Sequence, residues 1–457
     1  MKPNIDISEN ELLRQSEEIL VELLRDHTTQ KNIFWATDDY ASLGEAYSYY
    51  APITIPCITG DNGFIIQPRV LKTREEQMSR TKDKAEVFTP SWVCNAQNNQ
   101  VDEAWFGRKD VFNHEHPETK TWTATTLPVS FPDGKTWKDY IRSTRMEITC
   151  GEAPYLVIRY DTTTGAFIPI SQRIGMIDRK LRVISENTTT TGEWLKMAQE
   201  AYKNIYGYEW QGDNLLLARE ALLITFIEYY TEKFGEKPQE RSIKYIAYII
   251  AWNIFQMDGL KCIIPLSDRD TTKKKQLNLF NKTEKISNQT QSKKGQYVKI
   301  MNWRENKTEF FKRVKFDVVI GNPPYQENDN AVRGEGAPIN ASAKPLYNHF
   351  FYLAYEITNA KINLIFPARW LVGAGKGLTE FTQEMLNDKH IKSMTIFQKS
   401  SDVFLNTDIK GGVLYLTYDK TYKGEANIKV IDWKKKQHEY KGYLNSCGCG
   451  FFIPFKE

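Results

Sequence analysis

The sequence predicts an α/β protein built on a largely parallel sheet. An apolar run at Val318–Ile320 indicates a buried strand, and the glycine and two prolines that follow end it. Upstream, residues 205–215 fit a strand and a turn, and Leu215–Tyr229 has helical spacing. Downstream, a helical pattern at Pro345–Ile357 precedes a strand at Ile362–Pro367. Strands that alternate with helices in this way are typical of a parallel sheet covered by helices.

Length and composition narrow the class of protein. A chain of 457 residues can form two or three domains, and 26% charged with 41% hydrophobic residues is ordinary for a soluble protein. No apolar run approaches the ~20 residues of a membrane span, and the N-terminus lacks a signal-peptide pattern. We therefore expect a cytoplasmic protein without a membrane partner. The six cysteines and six histidines show no zinc-ligand spacing, so we expect no metal site.

Positive charge is concentrated in one segment. Residues 261–315 contain 15 Lys or Arg against 5 Asp or Glu, although the net charge of the chain is only +4. This segment includes Lys273-Lys274-Lys275 and Arg304 and has few apolar residues. One interpretation is a solvated insertion. The other is a surface beside the catalytic loop that contacts DNA phosphates.

The loop after Val318–Ile320 has the residue types for chemistry on an amino group. Ligands of open α/β sheets bind just beyond the carboxyl ends of the strands, which is where this loop is expected. The Asn322 side-chain oxygen and the Pro323 carbonyl are two acceptors on a stiff backbone, and they fit the two donors of a planar amino group. Tyr325 supplies a flat face on which a ring can stack. A proline turn that merely closes a strand is the alternative interpretation.

The segment Asn322-Pro323-Pro324-Tyr325, preceded by Asp-Val-Val-Ile-Gly, resembles the catalytic motif of S-adenosylmethionine-dependent amino-methyltransferases. It is most similar to the Eco57I-like DNA adenine-N6 methyltransferases of restriction-modification systems. The resemblance implies a Rossmann-like methyltransferase sheet, S-adenosyl-L-methionine as cofactor and double-stranded DNA as substrate, with a flipped adenine stacked on Tyr325. It also implies a restriction or specificity subunit as a partner. The motifs follow each other in the gamma-type order of this family.

The resemblance assigns cofactor residues to two segments before the second strand. In the family, a segment like Phe88-Thr89-Pro90 contacts the methionine end of the cofactor; as local structure, Thr89 is expected to cap a helix that starts at Pro90. Simple capping is the alternative role. The loop Cys150-Gly151-Glu152-Ala153 stands where the family has acidic-Pro-x-Cys-Gly-x-Gly, with Ala153-Pro154 in place of the second glycine. Small residues there still let a ligand approach the backbone.

Two further pairs complete the predicted cofactor site. Glu209 is expected to accept from the ribose hydroxyls, with Trp210 against adenine. Asp258, followed by Gly259, is expected to accept from the adenine amine. A surface glutamate and an ordinary Asp-Gly turn are the respective alternatives.

The predicted organisation has three parts. Residues 1–75 form a helical and aromatic N-terminal cap, with one amphipathic helix at Ile7–Leu24. Residues 76–420 form the methyltransferase domain, whose last two strands are expected at Ser393–Phe397 and Gly412–Tyr418. Residues 421–457 form a short extension, interpreted as the start of a truncated target-recognition region.

Two other functions remain open at this point. A protein glutamine N5-methyltransferase uses the same Asn-Pro-Pro-Tyr motif, because an amide nitrogen offers the same two donors. A catalytically weak or inactive DNA-binding remnant would account for the altered cofactor loop and the short C-terminal segment.

Overall fold

The computed structural model describes residues 8–72, 89–268, 294–326, 344–375, 377–404, 409–446 and 448–454. Its centre is a sheet of nine strands. In chain order these are β1 Arg145–Ile148, β2 Ile205–Glu209, β3 Ile254–Gln256, β4 Phe316–Gly321, β5 Thr358–Pro367, β6 Ile391–Phe397, β7 Val413–Asp419, β8 Ala426–Ile431 and β9 Gln437–Gly442.

The sheet order places the ends of the parallel strands together. The strands lie side by side as β9-β8-β6-β7-β5-β4-β1-β2-β3. Neighbouring strands from β3 to β5 are parallel, whereas β7 is antiparallel to both β5 and β6. β8 is parallel to β6, and β9 returns antiparallel to β8. Strands β1 to β6 and β8 therefore end at one edge, called here the carboxyl edge. This architecture confirms the predicted α/β class with a largely parallel sheet.

Helices cover both faces of the sheet. Their bounds are α1 Glu9–Gln15, α2 Glu17–Leu24, α3 Ile55–Ile58, α4 Ser91–Phe106, α5 Trp137–Arg142, α6 Met176–Asn187, α7 Thr191–Lys203, α8 Gly212–Phe234, α9 Glu240–Asn253, α10 Tyr347–Ile357 and α11 Thr379–Asn387. Helices α6 to α9 pack with the N-terminal helices in one apolar cluster, and α10 and α11 pack in a second cluster on the other face. No helix in the described ranges is long and apolar enough to cross a membrane.

The N-terminal segment differs from the prediction of one helix at Ile7–Leu24. The structure has two helices, because Ser16 adopts an extended conformation and separates α1 from α2. The Ser16 amide donates to Leu12 O at 2.9 Å and so closes the end of α1. Amphipathic spacing continues across Ser16, and for that reason the sequence pattern does not reveal the break.

A buried arginine of α8 holds this N-terminal segment against the sheet. The Arg219 guanidinium donates to Leu23 O at 2.6 Å and to Arg25 O at 2.9 Å. The same group donates to Ile254 O at 2.7 Å and to Ala251 O at 3.1 Å. Burial lowers the pKa of Arg219 to about 10. One cation therefore joins the end of α2, the start of β3 and the end of α9.

Two strands beyond those predicted extend the sheet. Ser393–Phe397 and Gly412–Tyr418 were expected to be the last, but β8 and β9 follow them and pair at the edge of the sheet. In β8, Ile428 and Val430 are buried, whereas Asn427 is exposed and Lys429 is half-buried. β9 is polar, as an edge strand can be, and its composition gave no strand signal. The predicted domain boundaries at residues 75 and 420 stay predictions.

The described part of the basic segment lies partly away from the catalytic loop. Residues 294–315 form an antiparallel pair, Lys299–Asn302 with Lys307–Phe310. Arg304, in the turn between them, donates to Arg142 O at 3.1 Å and lies 3.5 Å from the Asp317 carboxylate. These contacts are at the edge where β1 and β4 begin, so Arg304 does not fit the predicted phosphate surface beside the catalytic loop. Lys273-Lys274-Lys275 lie outside the described residues.

Candidate active site

The Asn-Pro-Pro-Tyr loop leaves the sheet at the carboxyl edge. Gly321, the last residue of β4, pairs with Ile148 of β1 on one side and Leu364 of β5 on the other. A Cβ atom at Gly321 would lie 2.6 Å from Ile148 O, a distance that real Cβ atoms do not reach. Only glycine therefore lets the two strands stay this close where the loop begins.

Asn322 is fixed by two segments that come from elsewhere in the chain. Its Nδ2 donates to Thr89 Oγ1 at 3.2 Å. The Thr149 hydroxyl, from the loop after β1, donates to the Asn322 carbonyl at 3.3 Å. With Nδ2 turned to Thr89, the side-chain oxygen of Asn322 is directed the other way. The three segments predicted to form one site therefore meet at this residue.

Tyr325 lies at an aromatic surface beside the loop. Pro323 is buried, and Pro324 and Tyr325 are half-buried. The Tyr325 ring faces Phe404 with 6.3 Å between centroids and 61° between planes. Its carbonyl accepts from Leu346 N at 3.1 Å, which ties the loop to the start of α10. Burial raises the pKa of the Tyr325 phenol, so the ring is neutral at physiological pH.

Thr89 has a different local role from the one predicted. The cap of α4 is Pro90 and the helix begins at Ser91, so the prediction of a Thr89 cap with Pro90 as first helical residue was wrong. The Thr89 carbonyl accepts from Thr162 Oγ1 at 2.9 Å. The Thr89 hydroxyl oxygen accepts from Asn322 Nδ2. Phe88 lies outside the described residues.

The loop after β1 is wound tightly. Thr149, Gly151 and Ala153 have φ values of 47°, 55° and 61°, the left-handed region that only glycine enters without strain. Glu147, inside β1, holds the far side of the loop, since its carboxylate accepts from Leu156 N at 3.0 Å. Burial raises the pKa of Glu147, and this backbone bond opposes the rise. Its role was missed, although an acidic residue within an apolar strand was a signal.

The predicted loop residues serve the site in different ways. The Cys150 thiol is buried against β2, where a Cβ at Gly207 would lie 3.2 Å from its sulfur, and burial raises the thiol pKa. The Glu152 carboxylate accepts from Arg69 N at 2.7 Å and from the Tyr160 hydroxyl at 2.6 Å. Both side chains therefore hold the loop in place. Within the loop, Gly151 is half-buried and Ala153 is buried.

Glu209 joins the end of β2 to this loop. One carboxylate oxygen accepts from Gly151 N at 2.9 Å and the other from Gln211 N at 3.1 Å. The carboxylate thus lies at the loop after β1. Trp210, next to it, is half-buried and donates from Nε1 to the Tyr49 hydroxyl at 2.8 Å. This bond attaches the indole to the N-terminal segment.

Asp258 and Gly259 follow β3 at the same edge. Asp258 Oδ1 accepts from Leu260 N and Lys261 N, each at 3.1 Å, so the Asp-Gly turn considered above is real. Burial raises the pKa of this carboxyl, and the backbone bonds oppose the rise. Gly259 is needed for packing, since a Cβ there would lie 2.7 Å from the Tyr208 ring and 2.8 Å from the Phe350 ring.

The outline of the site is therefore a row of loops along the carboxyl edge. The loops after β3, β2, β1 and β4 follow one another in the sheet, in the order Asp258, Glu209, Gly151 and Asn322. Backbone and side-chain hydrogen bonds join the last three. Within the part of the chain that the structure describes, no group of three His, Cys, Asp or Glu side chains could hold a metal ion.

Comparison with known proteins gives three kinds of similarity. Residues 203–404 match the family model described as Eco57I restriction-modification methylase. A Mycoplasma pneumoniae protein described as an uncharacterized adenine-specific methylase is 31% identical over 159 residues, which cover 34% of this chain and 36% of that protein. The chain thus spans about a third of this curated relative's length.

Solved structures with a related arrangement are more distant. The methyltransferase subunit of a type I restriction-modification system from Streptococcus thermophilus is 13% identical, with a TM-score of 0.34, over 82% of this chain and 54% of that one. The type ISP restriction-modification enzyme LlaBIII bound to DNA is 12% identical, with a TM-score of 0.39, over 76% of this chain and 20% of that one.

The family match covers the candidate-site residues from Glu209 onward. It includes Glu209, Asp258, the Asn-Pro-Pro-Tyr loop and Phe404, and it begins after the loop that follows β1. Residues 203–404 of this chain are therefore similar to the Eco57I restriction-modification methylases.

Proposed function

We propose that this chain methylates the N6 atom of adenine in double-stranded DNA, as the modification enzyme of a cytoplasmic restriction-modification system. The main support is the Asn322–Tyr325 loop at the carboxyl edge, held at Asn322 by Thr89 and Thr149. Ligands of α/β sheets bind at this edge. The Eco57I match and the adenine-specific relative support adenine as the target.

The donor and acceptor groups along the carboxyl edge fit S-adenosylmethionine. Glu209, at the loop after β1, can accept from ribose hydroxyls, and Asp258 can accept from an adenine amine. The half-buried Gly151, which carries no side chain, allows close approach of a ligand to its backbone. The Thr89–Pro90 segment, beside Asn322, suits the end of the cofactor that carries the methyl group. The cofactor supplies an electrophilic methyl on a sulfonium, which is already a good leaving group.

The residues of the loop account for activation of the target nitrogen. The Asn322 side-chain oxygen and the Pro323 carbonyl would each accept one N6 proton. Bonding to both protons turns the nitrogen lone pair out of the ring plane and makes it nucleophilic. Tyr325, with Phe404 6.3 Å away, provides an aromatic surface for a flipped base. The work of the protein is thus positioning and hydrogen bonding, with no proton acceptor of unusual pKa required.

The decisive experiment is transfer of radiolabelled methyl groups to DNA. Asn322→Ala removes one of the two acceptors and should lower the rate by about 10²–10³, the loss expected for one transition-state acceptor worth ~2.7–4 kcal/mol. Asn427→Ala, an exposed asparagine on β8, is the matched control and should leave the rate unchanged. Calorimetry should find S-adenosylmethionine binding unchanged in both variants.

Three outcomes would contradict this proposal. Near-normal turnover in the Asn322→Ala protein would show that the loop is not catalytic. Label incorporated into protein and not into DNA would favour a glutamine N5-methyltransferase. Wild-type protein that binds the cofactor but labels neither substrate would be an inactive remnant.

A further inference from the structure

The turn between β8 and β9 lies at the carboxyl edge, next to the loop that leads from β6 to Phe404. β8 is parallel to β6, and its last residue, Ile431, pairs with Phe397 at the end of β6. Gln398 N donates to Ile431 O at 3.0 Å, so the turn adjoins the loop that leads from β6 to Phe404. Residues 432–436 are therefore at the carboxyl edge, on the same side of the sheet as Asn322.

Asp432 builds this turn from within. Its Oδ1 accepts from the backbone N–H groups of Lys434 and Lys436, both at 2.8 Å. The Asp432 amide donates to Lys436 O at 3.0 Å, and Lys435, at φ 62°, donates to Asp432 O at 2.9 Å. The backbone is thus fixed without any help from the side chains of residues 433–436, which are all exposed.

Trp433 has no folding role that accounts for it. The side chain is 68% exposed, so most of the stabilisation that a buried tryptophan gives is not realised in the isolated chain. A rigid turn with an exposed indole, followed by three lysines, combines the two elements of nucleic-acid contacts: a ring for bases or sugars and ammonium groups for phosphates.

Further positive charge stands next to the turn. Lys120, at the tip of the Asn113–His116 and Thr121–Ala124 hairpin, donates to Asp402 O at 2.7 Å and lies 5.2 Å from the Trp92 ring centre. Burial, and after it the nearby charge of Lys435, lower the pKa of Lys120. The charge of Asp402 opposes this fall in pKa. The bond to Asp402 O places Lys120 on the loop that carries Phe404.

We propose that residues 433–436 form a DNA-contacting turn. Lys434 and Lys436 contact phosphates flanking the target adenine, and Trp433 lies against a base or sugar. This inference rests on the proposed function and adds a DNA-contacting element to it. A duplex that delivers a base to Tyr325 and Phe404 must pass along the carboxyl edge, where this turn presents its charges. Phosphate contacts of this kind add affinity and position the duplex without reading its sequence.

The lysine contacts are tested by the salt dependence of DNA binding. The probe is a fluorescein-labelled duplex of mixed sequence, titrated with the full chain at several salt concentrations. Each phosphate contact adds about 0.9 to the slope of log K against log salt, so Lys434→Gln/Lys436→Gln should reduce the slope by about 1.8. The matched control is Lys389→Gln/Lys423→Gln, two exposed lysines at the opposite edge of the same strands, and should keep the wild-type slope.

The tryptophan contact is tested in the same assay. Trp433→Ala should weaken DNA binding at least ~5-fold, as expected when one base–aromatic contact is lost, with the salt slope unchanged. Unchanged affinity of this variant would overturn the assignment of the ring, and equal slopes for the two lysine pairs would overturn the phosphate contacts.

The outcome separates this inference from the proposed function. Suppose that wild-type protein methylates DNA while the Lys434→Gln/Lys436→Gln and Trp433→Ala variants bind DNA normally. That result would overturn only the proposed DNA contacts of residues 433–436. Wild-type protein that neither binds nor methylates the duplex would overturn both.

Discussion

Replacing Thr89 by valine removes one hydroxyl and nearly preserves the shape of the side chain. The main lost contact is the bond from Asn322 Nδ2 to Thr89 Oγ1 at 3.2 Å, which is long for a hydrogen bond. The Tyr155 hydroxyl also loses its weaker contact with Thr89 Oγ1, at 3.5 Å. A neutral bond of this kind contributes about 0.5–1 kcal/mol, the lower part of the usual range. If its role is to hold the Asn322 amide in register, that free energy is lost in the transition state and the methyl-transfer rate falls about 2- to 5-fold.

Single-turnover methyl transfer to DNA measures this effect without interference from product release. Thr89→Ser keeps the hydroxyl and should retain the wild-type rate. A double-mutant cycle is sharper: once Asn322 is alanine, the amide is gone, so Thr89→Val should have no further effect on the rate. A full additional 2- to 5-fold loss in that background would show that Thr89 acts elsewhere, and a wild-type rate in Thr89→Val alone would refute the positioning role.

Two further predictions concern the cofactor. Glu209→Gln keeps an acceptor for Gly151 N but loses its charge, so S-adenosylmethionine binding measured by calorimetry should weaken by about 1.5–3 kcal/mol, and an unchanged Kd would exclude a ribose contact. Asp258 has a pKa raised by burial, so its carboxylate is lost at a higher pH than that of an ordinary aspartate. Cofactor affinity should therefore fall as the pH drops through this raised pKa, and Asp258→Asn should bind more weakly at pH 8 and lack this dependence. Because a raised pKa means that ionisation opposes folding, Asp258→Asn should unfold at no lower a temperature than wild type at pH 8.

Sequence analysis could identify the candidate-site residues that have a rigid local backbone or an acidic side chain at the end of a strand. Two consecutive prolines after an apolar strand restrict the backbone of the loop that begins at Asn322. Ligands of open α/β sheets bind beyond the carboxyl ends of the strands, so this loop is expected at the binding site. Glu209 and Asp258 could be found in the same way, as acidic residues at strand ends. The roles of Glu209 and Asp258 also drew on the resemblance to the Eco57I-like methyltransferases.

The contacts that join these loops depend on residues far apart in the chain. Nothing near Thr149 in sequence indicates that its hydroxyl reaches Asn322 O. Helix α4 is a further example, because its buried residues mix amides and a carboxylate with apolar side chains such as Val93 and Val101. Gln97 donates to Asn363 Oδ1 at 2.6 Å, and Asp102 accepts from Arg145 and Arg179. A helix with such a mixed face has no continuous apolar stripe, and its pairing with β5 and β1 appears only in three dimensions.

The Arg219 guanidinium limits where this chain can be cut. Two of its four acceptors, Leu23 O and Arg25 O, come from the N-terminal segment. A shortened protein that starts after residue 25 would keep the cation and lose half of these acceptors, at a position that water does not reach in the intact chain. Grafting the methylase domain onto another protein, or trimming it for crystallisation, should therefore include α2 or replace Arg219 by an uncharged residue of similar length, such as methionine.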